Sequence, residues 1–248
     1  GADAVAKPRT EEDWDALSFE VAHLFDGAPI DEEDLFAGRL TEIRRILEAT
    51  LSKSSHVVLF GERGVGKTSL SNIFWKRFGN TLQSFVVGRV QANPSDTFHS
   101  IWFRALDELQ AAAEMRRKPE YVPYSLDASV AITPTYVRRL LSQCAPNAIP
   151  IIIIDEFNEI EDPDARMLTA NLIKELYDYA ISVTVVLVGV AENIGQLLDD
   201  HKSISRALIQ IPLNRMNESE LKEIIWSGAA FSRKASNWSA DRSFVLLA

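Results

Sequence analysis

Residues 61–68 read Gly61-Glu62-Arg63-Gly64-Val65-Gly66-Lys67-Thr68, the G-x-x-x-x-G-K-T spacing of a phosphate-binding loop. The flanks suit that chemistry. His56-Val57-Val58-Leu59-Phe60 before it is a short, mostly apolar β-type run, and Leu70, Ile73, Phe74 and Phe78 after it recur at helical spacing. In such a strand–loop–helix unit the glycines let backbone N–H groups turn inward around an anion. The new helix points the positive end of its dipole at the same place. Lys67 is then placed to reach terminal phosphates, and the Thr68 hydroxyl to hold Mg²⁺. The predicted nucleotide contacts here are Gly61, Glu62, Arg63, Gly64, Val65, Gly66, Lys67, Thr68 and Ser69.

A second stretch complements the first. Ile149-Pro150-Ile151-Ile152-Ile153-Ile154-Asp155-Glu156 reads as a strand buried on both faces, as in the centre of a parallel sheet, ending in two carboxylates. Beside a phosphate loop, Asp155 at the strand's end suits a Mg²⁺ ligand, direct or through water. Glu156 suits the base that orients and deprotonates an attacking water.

Working outward, apolar strands alternate with amphipathic helices, the pattern of a parallel sheet in an α/β sandwich. A second strand is expected over Ser84 to Gln91, then a helix from near Ser95 to Met115 with Phe98, Ile101, Trp102, Ala105, Leu106 and Leu109 buried as core. Residues 119–132 read as a loop. Thr133-Pro134 opens a helix with a capping Thr and a first-turn Pro, carrying Val137, Leu140 and Leu141. Asp164 to Ala180 reads as a helix with Leu168, Leu172, Ile173, Leu176 and Tyr177 inward. Val183 to Val190 is a fourth strand and Leu208 to Leu213 a fifth. A helix over about 13–25 precedes all of these.

The box Phe36-Ala37-Gly38-Arg39, continuing to Glu42 and Ile46, together with 61–68 and 151–156, resembles AAA+ ATPases of the origin-initiator type and the related STAND signalling ATPases. The resemblance spans roughly residues 35–248. It implies a P-loop NTPase three-layer sandwich whose five-stranded parallel sheet has the order 5-1-4-3-2, followed by a helical lid. It places Phe36, Gly38 and Arg39 beside the adenine; a plain helix start is the other reading of these residues. It also implies a polar sensor of the γ-phosphate near the end of the fourth strand. Asn193 is the candidate and Glu192 the rival, while Asn193 equally suits a helix cap. Arg206, just ahead of the fifth strand, is similar to the arginine finger that reaches a neighbouring subunit's γ-phosphate; a surface Arg capping the preceding helix is the alternative.

Three domains follow: an acidic N-terminal arm with one helix over 1–34, an ATPase core over 35–216, and the start of a lid over 217–248. The last residues, Phe244 to Ala248, are apolar with no helix stop signal, so most of the lid is expected beyond them.

Composition narrows the function. The net charge of −9 resides in the arm: residues 1–35 carry 11 acidic and two basic side chains, and the rest holds 24 of each. The arm is either a solvated segment or an acidic dock for a basic partner. Strong nonspecific DNA binding needs a positive surface and is not expected of this chain. One cysteine, Cys144, excludes an internal disulfide and a cysteine-built zinc site. With no membrane-length apolar run, it suits a cytoplasmic protein. The expected ligands are ATP or ADP with Mg²⁺, and the expected partner is a second copy or another protein.

Three functions compete. One is an ATPase that couples Mg-ATP hydrolysis to a conformational or assembly change. The second is a signalling switch that holds nucleotide with little turnover. The third is a binding scaffold without catalysis, against which the intact Lys67, Thr68, Asp155 and Glu156 argue. No Asn-Lys-x-Asp segment that would read guanine is present.

Overall fold

The computed structural model describes residues 39–52, 54–68, 70–71, 85–190 and 204–215. The chain divides into two units, the larger of which takes in Glu42–Asn214; the description below concerns that unit. The expected helix over 13–25, the adenine box residues Phe36 and Gly38, the Asn193 and Glu192 pair, and the lid over 217–248 lie outside the described residues.

In chain order the regular elements are α1 (Leu40–Leu51), β1 (His56–Gly61), β2 (Phe85–Gln91), α2 (Phe98–Met115), α3 (Pro134–Leu141), β3 (Ile149–Asp155), α4 (Pro163–Asp178), β4 (Thr184–Val190) and β5 (Leu208–Leu213). The strands form one parallel sheet of order β2-β3-β4-β1-β5. This is the expected 5-1-4-3-2 order read from its other edge.

β3 is buried along its whole length, with Ile151 to Ile154 at most 1% exposed. Each such side chain contributes about 1.5–3 kcal/mol relative to its solvated state. Proline interrupts strands only where its missing N–H does no harm. Pro150 obeys this because β3 begins its pairing with β4 only at Ile151, opposite Thr184. Pro212 obeys it because β5 pairs with β1 alone.

α2 begins at Phe98, later than the hydrophobic stripe suggested. Thr97 is extended and caps it, its hydroxyl accepting from Ser100 N while its own N–H donates to Ser100 Oγ. The six expected core residues of α2 are all buried, and the Trp102 indole donates to Thr169 Oγ1 of α4 at 3.1 Å. The aromatics of α2 are therefore core.

α4 buries Ala165, Thr169, Ala170, Leu172, Ile173 and Leu176. Tyr177, expected inward, is instead 40% exposed. A phenol at a helix end loses its water on burial unless a partner replaces it. The stretch 119–132 is a packed loop: Tyr121, Val122, Tyr124 and Ile132 are buried, and the Tyr124 hydroxyl donates to Leu106 O at 2.9 Å.

Candidate functional site

In a parallel sheet all strands deliver their carboxyl ends to one edge. Here that edge gathers the end of β1 with the loop after it, the end of β2 with residues 91–94, Asp155–Glu159 after β3, and Val190 of β4. Between them lies a cleft of about 700 Å³, lined by Gly64, Gly66, Lys67, Thr68, Asn93 and Glu156 among others.

The loop has the geometry its glycines suggest. Gly64 and Gly66 have φ of +82° and +87°, a region costly to side chains with a Cβ. Gly61 is glycine for a different reason: a Cβ there would lie 2.3 Å from the Leu213 carbonyl oxygen of β5. Val65 is buried and anchors the loop, while Glu62 and Arg63 are exposed, Arg63 at the rim of the cleft. Lys67 and Thr68 open the helix, and Leu70 N donates to Gly66 O at 2.8 Å.

Lys67 is 7% exposed and folds over its own loop, donating to Gly61 O at 3.0 Å and Glu62 O at 2.7 Å. Burial pulls its ammonium below the ordinary lysine range. The charges of Glu156 and Asp155 oppose that shift and Arg63 adds to it. Thr68 Oγ1 donates to Asp155 Oδ1 at 3.4 Å. The two motifs therefore meet, and Lys67, Thr68, Asp155 and Glu156 share one place.

Asp155 is 1% exposed. Its Oδ1 also accepts from Glu156 N at 3.0 Å. That contact accompanies a left-handed backbone at Glu156, φ 53° and ψ 36°, a strained conformation for a residue with a side chain. The Thr68 hydroxyl and the Asp155 carboxylate are hard oxygen donors. A Mg²⁺ ion bound with a nucleotide uses one or two such protein oxygens, with phosphates and waters completing its shell, so this pair fits it.

Several site residues carried no sequence signal. Arg89 of β2 donates to Asp155 Oδ2 at 2.5 Å. Asn158 accepts from Val190 N at 2.9 Å and donates to Glu159 Oε1 at 3.0 Å; Arg63 reaches that same oxygen at 3.4 Å. This chain of contacts ties the phosphate loop to the end of β4. The opposite wall is braced by Asp96, which accepts from Asn93 N, Ser100 Oγ and Arg104. Burial alone would raise the Asp96 pKa, yet those hydrogen bonds hold it below the usual carboxylate range.

Two further assignments stand outside the strand ends described above. Arg39 is a buried turn residue ahead of α1. Arg206 is exposed and precedes β5, which runs parallel to β1 with Leu208 opposite His56. It therefore stands at the amino edge of the sheet, separated from the phosphate loop by the length of β1, roughly 17 Å at about 3.3 Å per residue. Ser69 and Asn193 are outside the described residues.

A five-stranded parallel sheet with a glycine-rich loop closing onto a lysine and a strand-end aspartate defines a P-loop nucleotide-binding domain of the ATPase type. Within that class, residues 30–198 match the family described as an AAA domain, more than half of the sequence, and the chain belongs to that family. No curated protein matches it. Its fold is similar to that of the Aeropyrum pernix ORC1 protein, solved in complex with DNA, with a TM-score of 0.51 and 19% sequence identity, covering 77% of this chain and 49% of that one. It is similar to the Aeropyrum pernix ORC2 protein in its ADP form, with a TM-score of 0.53 and 16% identity, covering 77% and 51%. The Walker-type ATPase of Pyrococcus abyssi gives a TM-score of 0.53 and 17% identity, covering 85% and 63%. The chain thus spans about half the length of the two ORC proteins. Among the described residues no helix is long and apolar enough to cross a membrane.

Proposed function

We propose that this domain binds ATP with Mg²⁺, hydrolyses it, and couples the reaction to a conformational or assembly change. The observation that carries the reading is that Lys67, Thr68 and Glu156 line one cleft while the buried Asp155 accepts from Thr68 beside it. ATP phosphates occupy the loop, held by the N–H groups around Gly64 and Gly66 and by the helix that Lys67 opens. Lys67 exchanges its two loop carbonyls for the β- and γ-phosphates; the attraction between opposite charges in a partly dry cleft drives the exchange. Thr68 and Asp155 hold Mg²⁺, which neutralises charge on the phosphate oxygens. Glu156 orients a water against the γ-phosphorus and takes its proton.

The finer assignments rest on the same reading. Residues 35–216 form the core, Phe36, Gly38 and Arg39 border the adenine, and Asn193 reads the γ-phosphate. Arg206 acts on the nucleotide of a second copy, because its own site lies across the sheet. A planar guanidinium suits charge spread over phosphoryl oxygens. Two of the structural neighbours are ORC proteins, one solved with DNA and one with ADP; that likeness supports nucleotide as ligand.

The test is nucleotide binding. Lys67→Ala removes a point charge from the phosphates, so ATP affinity should fall at least tenfold while the far-ultraviolet circular dichroism stays unchanged. An affinity equal to wild type rejects the site.

A further inference from the structure

We infer that Arg89 is the resident counter-ion of Asp155 and that it sets how much Mg²⁺ the site requires. The inference rests on the proposed Mg-nucleotide site and names a residue that no motif marks.

Arg89 lies on β2 opposite Ile153 of β3, two residues before the Gln91–Asp155 pair. It therefore approaches the carboxylate along the strand from below the cleft floor. Its guanidinium donates to Asp155 Oδ2 at 2.5 Å, and its side chain is 25% exposed against 1% for the aspartate. Its Nε is buried and finds no acceptor among the described residues. A buried donor left unpaired destabilises the fold, and the Arg89–Asp155 contact offsets that loss. The other aspartate oxygen takes Thr68 Oγ1 and Glu156 N. Both carboxylate oxygens are thus engaged, and the ion pair is electrically balanced before any metal arrives.

A dication between Thr68 and Asp155 Oδ1 must share the carboxylate with a guanidinium on Oδ2. Like charges a few ångströms apart in a poorly solvated site repel strongly. Arg89 therefore weakens Mg²⁺ binding while sparing the nucleotide-free domain an unpaired buried carboxylate. A side chain that merely oriented Asp155 would do the reverse, since its loss would weaken the metal site.

The experiment titrates MgCl₂ against the full chain with a fluorescent, non-hydrolysable ATP analogue as probe, and reads the Mg²⁺ concentration at half-saturation. Arg89→Met keeps the aliphatic stem and removes the charge, and it should lower that concentration about tenfold. Arg89→Lys keeps the charge and should stay within about twofold of wild type. Arg89→Gln replaces the Met variant if that one does not fold. A neutral variant that folds and needs as much Mg²⁺ as wild type, or more, overturns the inference. Wild type that binds the analogue in neither EDTA nor MgCl₂ overturns the proposed site and this inference with it. Wild type that binds while the neutral variants match it overturns this inference alone.

Discussion

Thr68 and Asp155, 87 residues apart in sequence, meet at 3.4 Å across the head of the sheet. The contact joins the phosphate loop to the strand-end carboxylate, the two oxygens to which the proposed function assigns Mg²⁺.

Asp155→Asn tests that metal role. The amide keeps the shape, loses the negative charge, and presents one oxygen where there were two. Mg²⁺ affinity should fall about 10–100-fold, read as a rise in the Mg²⁺ needed to half-saturate nucleotide binding. A magnesium titration superimposable on wild type contradicts the assignment.

Glu156→Gln separates binding from chemistry. The amide retains the volume beside the cleft but cannot take a proton from water. ATP·Mg²⁺ should bind within about threefold of wild type, and single-turnover hydrolysis should slow about 10²–10⁴-fold. A hydrolysis rate near that of wild type assigns the base elsewhere.

The role proposed for Arg206 predicts that activity depends on assembly. If a second copy supplies it, specific activity should rise with protein concentration, and Arg206→Ala should keep ATP affinity while losing that rise. A finger supplied in trans is worth about 10³–10⁵ in rate. Mixing Arg206→Ala with Glu156→Gln should restore activity, because one mixed interface then pairs an intact base with an intact arginine. A concentration-independent rate that the substitution leaves unaltered removes the role.

His56 predicts a pH dependence of stability unrelated to the cleft. It is fully buried at the start of β1 and accepts Val185 N on Nδ1 at 3.1 Å, which puts its proton on Nε2; that nitrogen finds no partner among the described residues. Burial lowers its pKa from 6.5 to about 3. The unfolded chain therefore binds one more proton than the folded one between those values. Stability from this residue is complete above the unfolded pKa and drains as pH falls toward the folded one, by about 1.4 kcal/mol per pH unit. Urea midpoints compared between about pH 6 and 4 should show a shallower slope in His56→Asn than in wild type. Equal slopes exclude His56 as the titrating group.

Local physics explains what was legible in the sequence. The loop signature, the isoleucine strand ending in two carboxylates, and the Thr133-Pro134 helix start each lie within a few consecutive residues. Glycine tolerance of positive φ, burial on both faces and N-capping act at that same range. Element type and the four residues of the proposed chemistry could therefore be read before any fold existed. The strand order came from family resemblance, since periodicity carries no information about which strands are neighbours.

Tertiary structure alone decided who surrounds those four residues. Arg89 finds Asp155 across 66 residues, Arg63 finds Glu159 across 96, and His56 finds Val185 across 129. Such pairs depend on the register between parallel strands, and parallel neighbours are joined by crossovers whose length hides the pairing. Tyr177 shows the same limit: its place on the apolar stripe of α4 says where the side chain points, and only the packed molecule decides whether anything covers it. Arg206 shows the limit most plainly. Its motif is local, but its position at the opposite edge of the sheet from its own phosphate loop follows only from β5 lying parallel to β1.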